Sequence, residues 1–426
     1  MNNQQSWRKY AVTDANGTSR VRLSERKFHY SANIAAASSK ERKGGAGTRR
    51  RQLRACAYSL LTIGIGILTP DFGARLRADT LSFQPHVDYA TDSGPKDVQV
   101  GDMNRDGKLD LVTANQVANT VSVLLGKGNG KFQGHVDYPA GTSPRSAAVA
   151  DVNRDSKADV VTSNFEANTV TVLLGLGDGT FKPHSDYPTG GGPASIAVGD
   201  VNRDGKPDLV SANTNTGTPE ATLSVLLGRG NGTFRTAVDY PTGCCPSSVA
   251  IADVNRDGAP DLVNANQAGN TVSVLLGRGD GTFKPHVDYP TGSFALAMTV
   301  GDVNRDGRPD LITANLNGSS VSVLIGNGDG SFRLPVDYDT AGLPDAVQIG
   351  DVNRDGKPDL VTANVNNLSV LLGRVNGTFR PRVDYATVGN PSTAVQISDV
   401  NRDGKPDLVT ANFNGPSVSV FLNDGQ

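Results

Sequence analysis

Asp102-Met103-Asn104-Arg105-Asp106-Gly107-Lys108-Leu109-Asp110 is the first of seven near-copies of one nine-residue acidic loop; the others begin at Asp151, Asp200, Asp253, Asp302, Asp351 and Asp399. The starts lie 49, 49, 53, 49, 49 and 48 residues apart, so one structural unit has been copied seven times. A fixed period overrides the prior of two or three ordinary domains that 426 residues would suggest.

The third copy shows the order of parts. P-A-S-I-A-V-G-D-V leads into the acidic loop, followed by P-D-L-V-S-A-N, a variable loop, L-S-V-L-L-G, a G-R-G-N-G-T turn and F-R-T-A-V-D-Y. Four stretches of 5 to 8 residues rich in β-branched side chains are bounded by Gly, Asn, Asp and Pro, too short for helices. Each copy is therefore expected to form a four-stranded antiparallel meander. Asn129-Gly130, Asp178-Gly179, Asn231-Gly232, Asp280-Gly281, Asp329-Gly330 and Asn376-Gly377 are expected to join strands three and four as tight hairpins, supplying positive φ.

Four strands in about 49 residues match a propeller blade. Register points the same way. The last copy ends Val418-Ser419-Val420-Phe421-Leu422-Asn423-Asp424-Gly425-Gln426 and lacks the F-x-P-x-V-D-Y strand, which occurs as Phe83-Gln84-Pro85-His86-Val87-Asp88-Tyr89 ahead of the first complete copy. A linear array leaves both ends ragged; a ring leaves neither. The expected fold is all-β: a seven-bladed β-propeller over residues 83–426, with the N-terminal strand completing the last blade.

In D-x-N-x-D-G-x-x-D, side-chain oxygens stand at positions 1, 3, 5 and 9, and the carbonyl at position 7 can add another. Calcium takes about six to eight oxygens, and a glycine at position 6 permits the turn that wraps an ion. The expected ligands are Asp102, Asn104, Asp106 and Asp110 in the first loop; Asp151, Asn153, Asp155 and Asp159 in the second; Asp200, Asn202, Asp204 and Asp208 in the third. The fourth to seventh loops offer Asp253, Asn255, Asp257 and Asp261; Asp302, Asn304, Asp306 and Asp310; Asp351, Asn353, Asp355 and Asp359; and Asp399, Asn401, Asp403 and Asp407. Up to seven Ca2+ ions are thus expected. The EF-hand is excluded because position 12 of the first copy is Thr113 and strands flank the loop. A phosphate-binding loop is excluded because Lys108 is followed by Leu109. The plainer reading is that such clusters make good turns; it leaves unexplained an aspartate at position 9 of every copy. In the second loop Ser156 replaces the turn glycine, which marks that site as the weakest.

D-V-N-R-D-G-K-P-D-L-V-T-A-N, followed by V-S-V-L-L-G-x-G-D-G-T-F, closely resembles the FG-GAP/VCBS-type repeats, the family that includes the calcium-bearing propeller of integrin α subunits. The resemblance covers residues 83–426 and departs from the pattern at Ser156 and Val375. It implies calcium ligation by loop positions 1, 3, 5 and 9, and an extracellular or surface-exposed binding scaffold. It implies no particular ligand, since proteins with unrelated partners share the fold.

Charge divides the chain. Residues 1–78 carry 15 Lys and Arg against 4 Asp and Glu, whereas the remainder carries 26 against 39. Within residues 40–78 a basic stretch precedes an uncharged, largely apolar run from Ala55 to Leu68 and a polar segment with Ala74 and Ala78 as cleavage positions. Fourteen residues are too few to span a bilayer comfortably, so an export signal is expected, with no membrane span after its removal. Arg49-Arg50-Arg51 leaves the Sec and twin-arginine routes both open; residues 1–39 read as a disordered extension or a mis-set start. An extracellular, periplasmic or cell-surface location follows. Cysteine adds little: Cys244 and Cys245 are neighbours in the body and are expected as free thiols.

In a meander the acidic loops and the Gly-rich turns share one face, and the other two connections share the opposite one. The second pair varies between copies, as in Cys244-Cys245 against Ser293-Phe294, and Phe165-Glu166 against the long Thr214–Ala221 loop. That variable-loop face is the expected binding surface for a protein or glycan, with Phe165, Phe294 and Phe413 upon it. The aromatics recurring once per blade, among them Phe132 and Tyr89, are expected to pack between blades. No catalytic constellation appears, and His86, His135, His184 and His286 occupy one repeated strand position, so no enzyme is expected. The rival readings are a calcium-dependent lectin, weakened by the lack of tryptophan after Trp7, and a propeller-fold polysaccharide lyase or hydrolase. An acidic body argues against nucleic acid. A monomer is expected.

Overall fold

The computed structural model describes residues 81–214, 221–387 and 392–425. The export-signal and extension readings for residues 1–78, and most of the long loop after Thr214, lie outside them. Among the described residues, strands numbered β1 to β28 in chain order form seven four-stranded antiparallel sheets. The first complete blade is β2 (Pro95–Gly101), β3 (Asp110–Asn115), β4 (Thr120–Leu124) and β5 (Val136–Pro139), paired in that order.

The last blade is assembled from both ends of the described chain. It comprises β26 (Ser392–Ser398), β27 (Asp407–Asn412), β28 (Ser417–Phe421) and β1 (Val87–Ala90), with Val87 opposite Val420 and Tyr89 opposite Val418. The first strands of the blades form the inner ring: β2, β6 (Pro144–Ala150), β10 (Pro193–Gly199), β14 (Pro246–Ala252), β18 (Ala295–Gly301), β22 (Pro344–Gly350) and β26. Each lies against the next, and β26 lies against β2, so the ring closes. The expected seven-bladed propeller and its N-terminal closing strand are the observed fold.

The core lies between blades. Successive residues of a strand face opposite sides of the sheet. Leu111 therefore packs toward the last blade with Val409 and Val420, while Val112 packs toward the second blade with Val160 and Leu173. Both are fully buried, and burial of each such side chain contributes about 1.5–3 kcal/mol. The recurring aromatics seal the same interfaces. Tyr89 meets Phe132 edge-on at 5.3 Å, Tyr138 meets Phe181 at 4.8 Å, and Tyr385 meets Phe83 at 5.0 Å across the closure. The Tyr138 hydroxyl also donates to the Gly179 carbonyl of the next blade at 3.1 Å.

One local expectation is corrected. Strands three and four are not joined by tight two-residue hairpins: β4 stops at Leu124 and β5 starts at Val136. Between them Gly126 and Phe132 form an isolated bridge, and the Lys127 amide donates to the Lys131 carbonyl at 2.8 Å. Positive φ falls on Gly128 (73°) and Gly130 (73°), with Asn129 outside that region. The pairing runs on past the strand ends, with the Gln133 amide donating to the Leu125 carbonyl at 2.8 Å, while the Phe132 ring packs on Tyr89 of the last blade. Gly126 is required by close approach, since a Cβ there would lie 2.0 Å from the Leu109 carbonyl oxygen. In the sixth turn Val375 stands where the others have a glycine, and the Gly377 amide donates to the Arg374 carbonyl at 3.3 Å.

Candidate metal sites

Each acidic loop links the first two strands of a blade and folds on its own side chains. In the first loop the Asp106 amide donates to Asp102 Oδ1 (3.1 Å) and Asn104 Oδ1 (3.0 Å). The Gly107 amide donates to Asp102 Oδ2 (2.8 Å), and the Lys108 amide to Asp106 Oδ1 (2.9 Å). The oxygens of positions 1 and 3 thus converge on the same backbone donor. Position 4, arginine in every copy, takes φ between 58° and 64°. Position 6 is glycine at positive φ in six copies, and Ser156 adopts the same region at 63°, as the substitution foretold.

The ninth position has a different role. Asp110 is fully buried; its Oδ2 accepts the Met103 amide (2.8 Å) and its Oδ1 the Gly126 amide (2.7 Å). The carboxylate therefore ties the start of the acidic loop to the Gly-rich turn. Asp159, Asp208, Asp261, Asp310, Asp359 and Asp407 repeat the bracket. This corrects one step of the sequence argument: the recurrence of an aspartate at position 9 is accounted for by structure alone. Burial pushes these six carboxyls up to about 6, against the lowering by their backbone amides. Asp110 is raised in the same direction and by the same cause.

The outer oxygen at position 5 draws positive or donor groups. Lys108 Nζ lies 2.7 Å from Asp106 Oδ2, Lys206 Nζ 2.9 Å from Asp204 Oδ2, and Lys357 Nζ 2.6 Å from Asp355 Oδ2. In the fourth, fifth and seventh loops Asn255, Asn304 and Asn401 donate instead. The Lys108 ammonium and amide hold the Asp106 carboxyl below its usual range. Among the described residues no group of three or more His, Cys, Asp or Glu side chains is placed to hold a metal ion by itself. The donor set is nevertheless the one a hard cation takes: carboxylate and amide oxygens converging within nine residues, with an ammonium drawn to the same place.

A second repeated network was missed in the sequence. The Thr113 hydroxyl donates to Asn115 Oδ1 (2.8 Å), Asn115 Nδ2 donates to Ser122 (2.7 Å), and the Ser122 hydroxyl donates to Asp137 (2.6 Å). It pins the outer strand to the second and third strands, and across the closure Ser419 donates to Asp88 (2.6 Å). The repeated T-A-N, V-S-V and V-D-Y were its signal. The repeated histidines sit beside the same aspartates, as His135 Nδ1 does at 2.8 Å from Asp137.

At the opposite face stand the variable connections. Phe165 follows the second strand of its blade and Phe294 precedes the first of its own, with φ of 65°. Phe413 follows β27. The Arg145 guanidinium lies over the Phe165 ring at 3.4 Å from its centroid. Cys244 and Cys245 are free, their sulfurs 2.8 Å apart.

The repeat has a family. The FG-GAP-like repeat model matches residues 102–162, 157–211, 205–264, 253–313, 302–362 and 351–410. The chain belongs to the FG-GAP-like repeat family. Each match runs from one acidic loop into the next blade's second strand, so it spans one repeat and reaches into the following one. No curated protein matches this FG-GAP-like chain. Among solved structures, BBS1N in complex with ARL6DN, soaked with lead, aligns with a TM-score of 0.58 at 11% identity, covering 80% of this chain and 96% of that one. A functionally unknown protein from Desulfotomaculum acetoxidans DSM 771 aligns with a TM-score of 0.53 at 14% identity, covering 72% and 94%. At these identities the likeness is one of fold. No helix among the described residues is long and apolar enough to cross a membrane.

Proposed function

We propose that this FG-GAP-like propeller is an exported, calcium-stabilised scaffold that binds a protein or glycan partner through its variable-loop face and performs no catalysis. The observation that supports the calcium reading is the convergence of the oxygens at positions 1 and 3 in seven equivalent loops, with a cation or amide drawn to position 5. Asp102, Asn104 and Asp106, with Asp110 behind them, are the residues that would hold the ion in the first loop, and their counterparts would do so in the others. Bound calcium supplies charge neutralisation: seven ions bring +14 to a body that carries 26 basic and 39 acidic residues. The loops' own side chains supply the frame, since the backbone amides at positions 5, 6 and 7 are already satisfied by them.

The binding reading rests on division of labour between faces. One face carries near-identical loops tied into the fold. The opposite one carries connections whose side chains differ between blades on a backbone frame that recurs, as in the Gln116 amide donating to Gly94 and the Phe165 amide to Ser143. Export follows from the leader, and an extracellular, periplasmic or surface location and a monomeric state go with it.

The test has two arms. Native mass spectrometry at millimolar calcium is expected to find several bound ions, and chelator to lower the melting temperature by at least ten degrees; an unmoved transition would sink the calcium reading. Capture of partners from the native surroundings, with a glycan array alongside, is expected to depend on Phe294 and Phe413. Binding indifferent to alanine at both would move the surface elsewhere, and glycan-only binding would make the protein a lectin.

A further inference from the structure

The inner ring of strands encloses a channel, and at the variable-loop end the channel widens into a cavity of about 530 Å³. In a molecule built by copying, a group that occurs once is not demanded by the fold. The second residue of each innermost strand lines this mouth, and there the copies diverge. Asp345, Lys96 and Arg145 stand on three of four consecutive blades, β22, β26, β2 and β6, while the far side presents Ser247 and Leu296, with Met298 beside them.

These charges are not spent on structure. The Arg145 guanidinium is held flat on Phe165 at 3.4 Å, and its buried Nε has no hydrogen-bond partner among the described residues. Burial lowers its basicity, opposed by the Glu166 carboxylate. Asp345 is raised by burial, opposed by the charge of Lys96, and both residues line the mouth. Asp97, by contrast, is satisfied by the amides of Ala147 (2.9 Å) and Val98 (2.8 Å) and is part of the wall. A guanidinium stacked over a ring, half removed from water and with its Nε unpaired among the described residues, is suited to a carboxylate. No aromatic ring is among the residues lining the cavity, so a sugar has no stacking platform, whereas Leu296 and Met298 offer an apolar wall.

We propose that the channel mouth binds the carboxylate end of a peptide chain: the carboxylate on Arg145 and Lys96, a donor of the last residues on Asp345, and an apolar terminal side chain against Leu296 and Met298. The inference rests on the variable-loop face being the binding face, and it locates one subsite there.

The test is calorimetric titration of the full chain in calcium with three probes: a tripeptide Gly-Gly-Leu with a free carboxylate, its C-terminal amide, and galacturonate. The free acid is expected to bind, and the amide at least tenfold more weakly. Arg145→Gln is expected to weaken the acid at least tenfold. Lys96→Met, on the neighbouring blade, is expected to do the same in part, and serves if loss of Arg145 disturbs Phe165. Leu334→Ala, exposed beside the outer strand of its blade and away from the channel, is expected to leave the peptide affinity unchanged. Equal affinity for acid and amide, no binding of the acid at millimolar concentration, or binding of galacturonate in its place overturns the proposal. Weaker peptide binding in Leu334→Ala does so too, by placing the site away from the channel. Peptide binding that persists while no larger partner is captured strikes the scaffold reading and leaves the channel site standing.

Discussion

At the scale of single residues, the ninth-position aspartates decide most. Each carboxylate accepts two backbone amides from segments that are otherwise unconnected, as Asp208 does from Val201 (3.0 Å) and Gly228 (2.7 Å). Asp208→Ala leaves both donors buried and unpaired and is expected to cost about 2–5 kcal/mol, read from the urea midpoint in chelator. A variant destabilised only when calcium is present would reverse this assignment and make Asp208 a ligand first. The same groups set a pH dependence. Their folded values, about 6, lie above the ordinary carboxylate value of 3.8, so between these limits the folded chain binds more protons than the unfolded one. Stability of the metal-free protein therefore falls as pH rises from about 4 to 6. In chelator, melting temperature is expected to be higher at pH 5 than at pH 7; in calcium the order is expected to invert, because protonation competes with the ion. Ser156 carries a positive φ of 63° that glycine holds in the other copies. Ser156→Gly is expected to stabilise the metal-free protein by roughly 1 kcal/mol and to tighten calcium at the second loop, as scanning calorimetry and metal titration can determine.

At the scale of the strand and blade, the outer strands hang on one hydrogen-bond relay. They are short and half-exposed, with Val136 and Val238 more than half open to solvent. What holds them beyond the ladder is the line from Asn213 Nδ2 to Ser224 (2.8 Å) and on to Asp239, which recurs in each blade. Ser224→Ala is expected to cost about 1–3 kcal/mol and to speed amide exchange in Val238–Pro241 ahead of the other strands of that blade. Uniform exchange across the blade would show that the relay anchors nothing. Strand order was legible from short runs rich in β-branched residues bounded by turn residues, because both are local properties of the chain. The relay and the five-residue turns were not, because they depend on which blade a side chain reaches, and the Phe132 ring packs on Tyr89 of another.

At the scale of the whole molecule, closure is the feature on which the seven interfaces depend. β1 gives the last blade its outer strand, and Phe83 bridges to Asn423 while packing on Tyr385. A chain beginning at Pro95 exposes β28 as an unpaired edge. It is expected to lose its single cooperative melting transition and to associate on size exclusion; an unchanged melt would mean the ring does not need its closing strand. Copy number, blade register, the swap of the first strand into the last blade and the strain at Ser156 were legible in the sequence alone, because each is a matter of spacing along the chain. The tertiary structure alone decided that Asp110 and its counterparts bracket two loops, that Arg145 lies over Phe165, and that Asp345 and Lys96 line one channel mouth. Those relations join residues from 7 to 249 positions apart, and only folding within and between the blades brings them within reach.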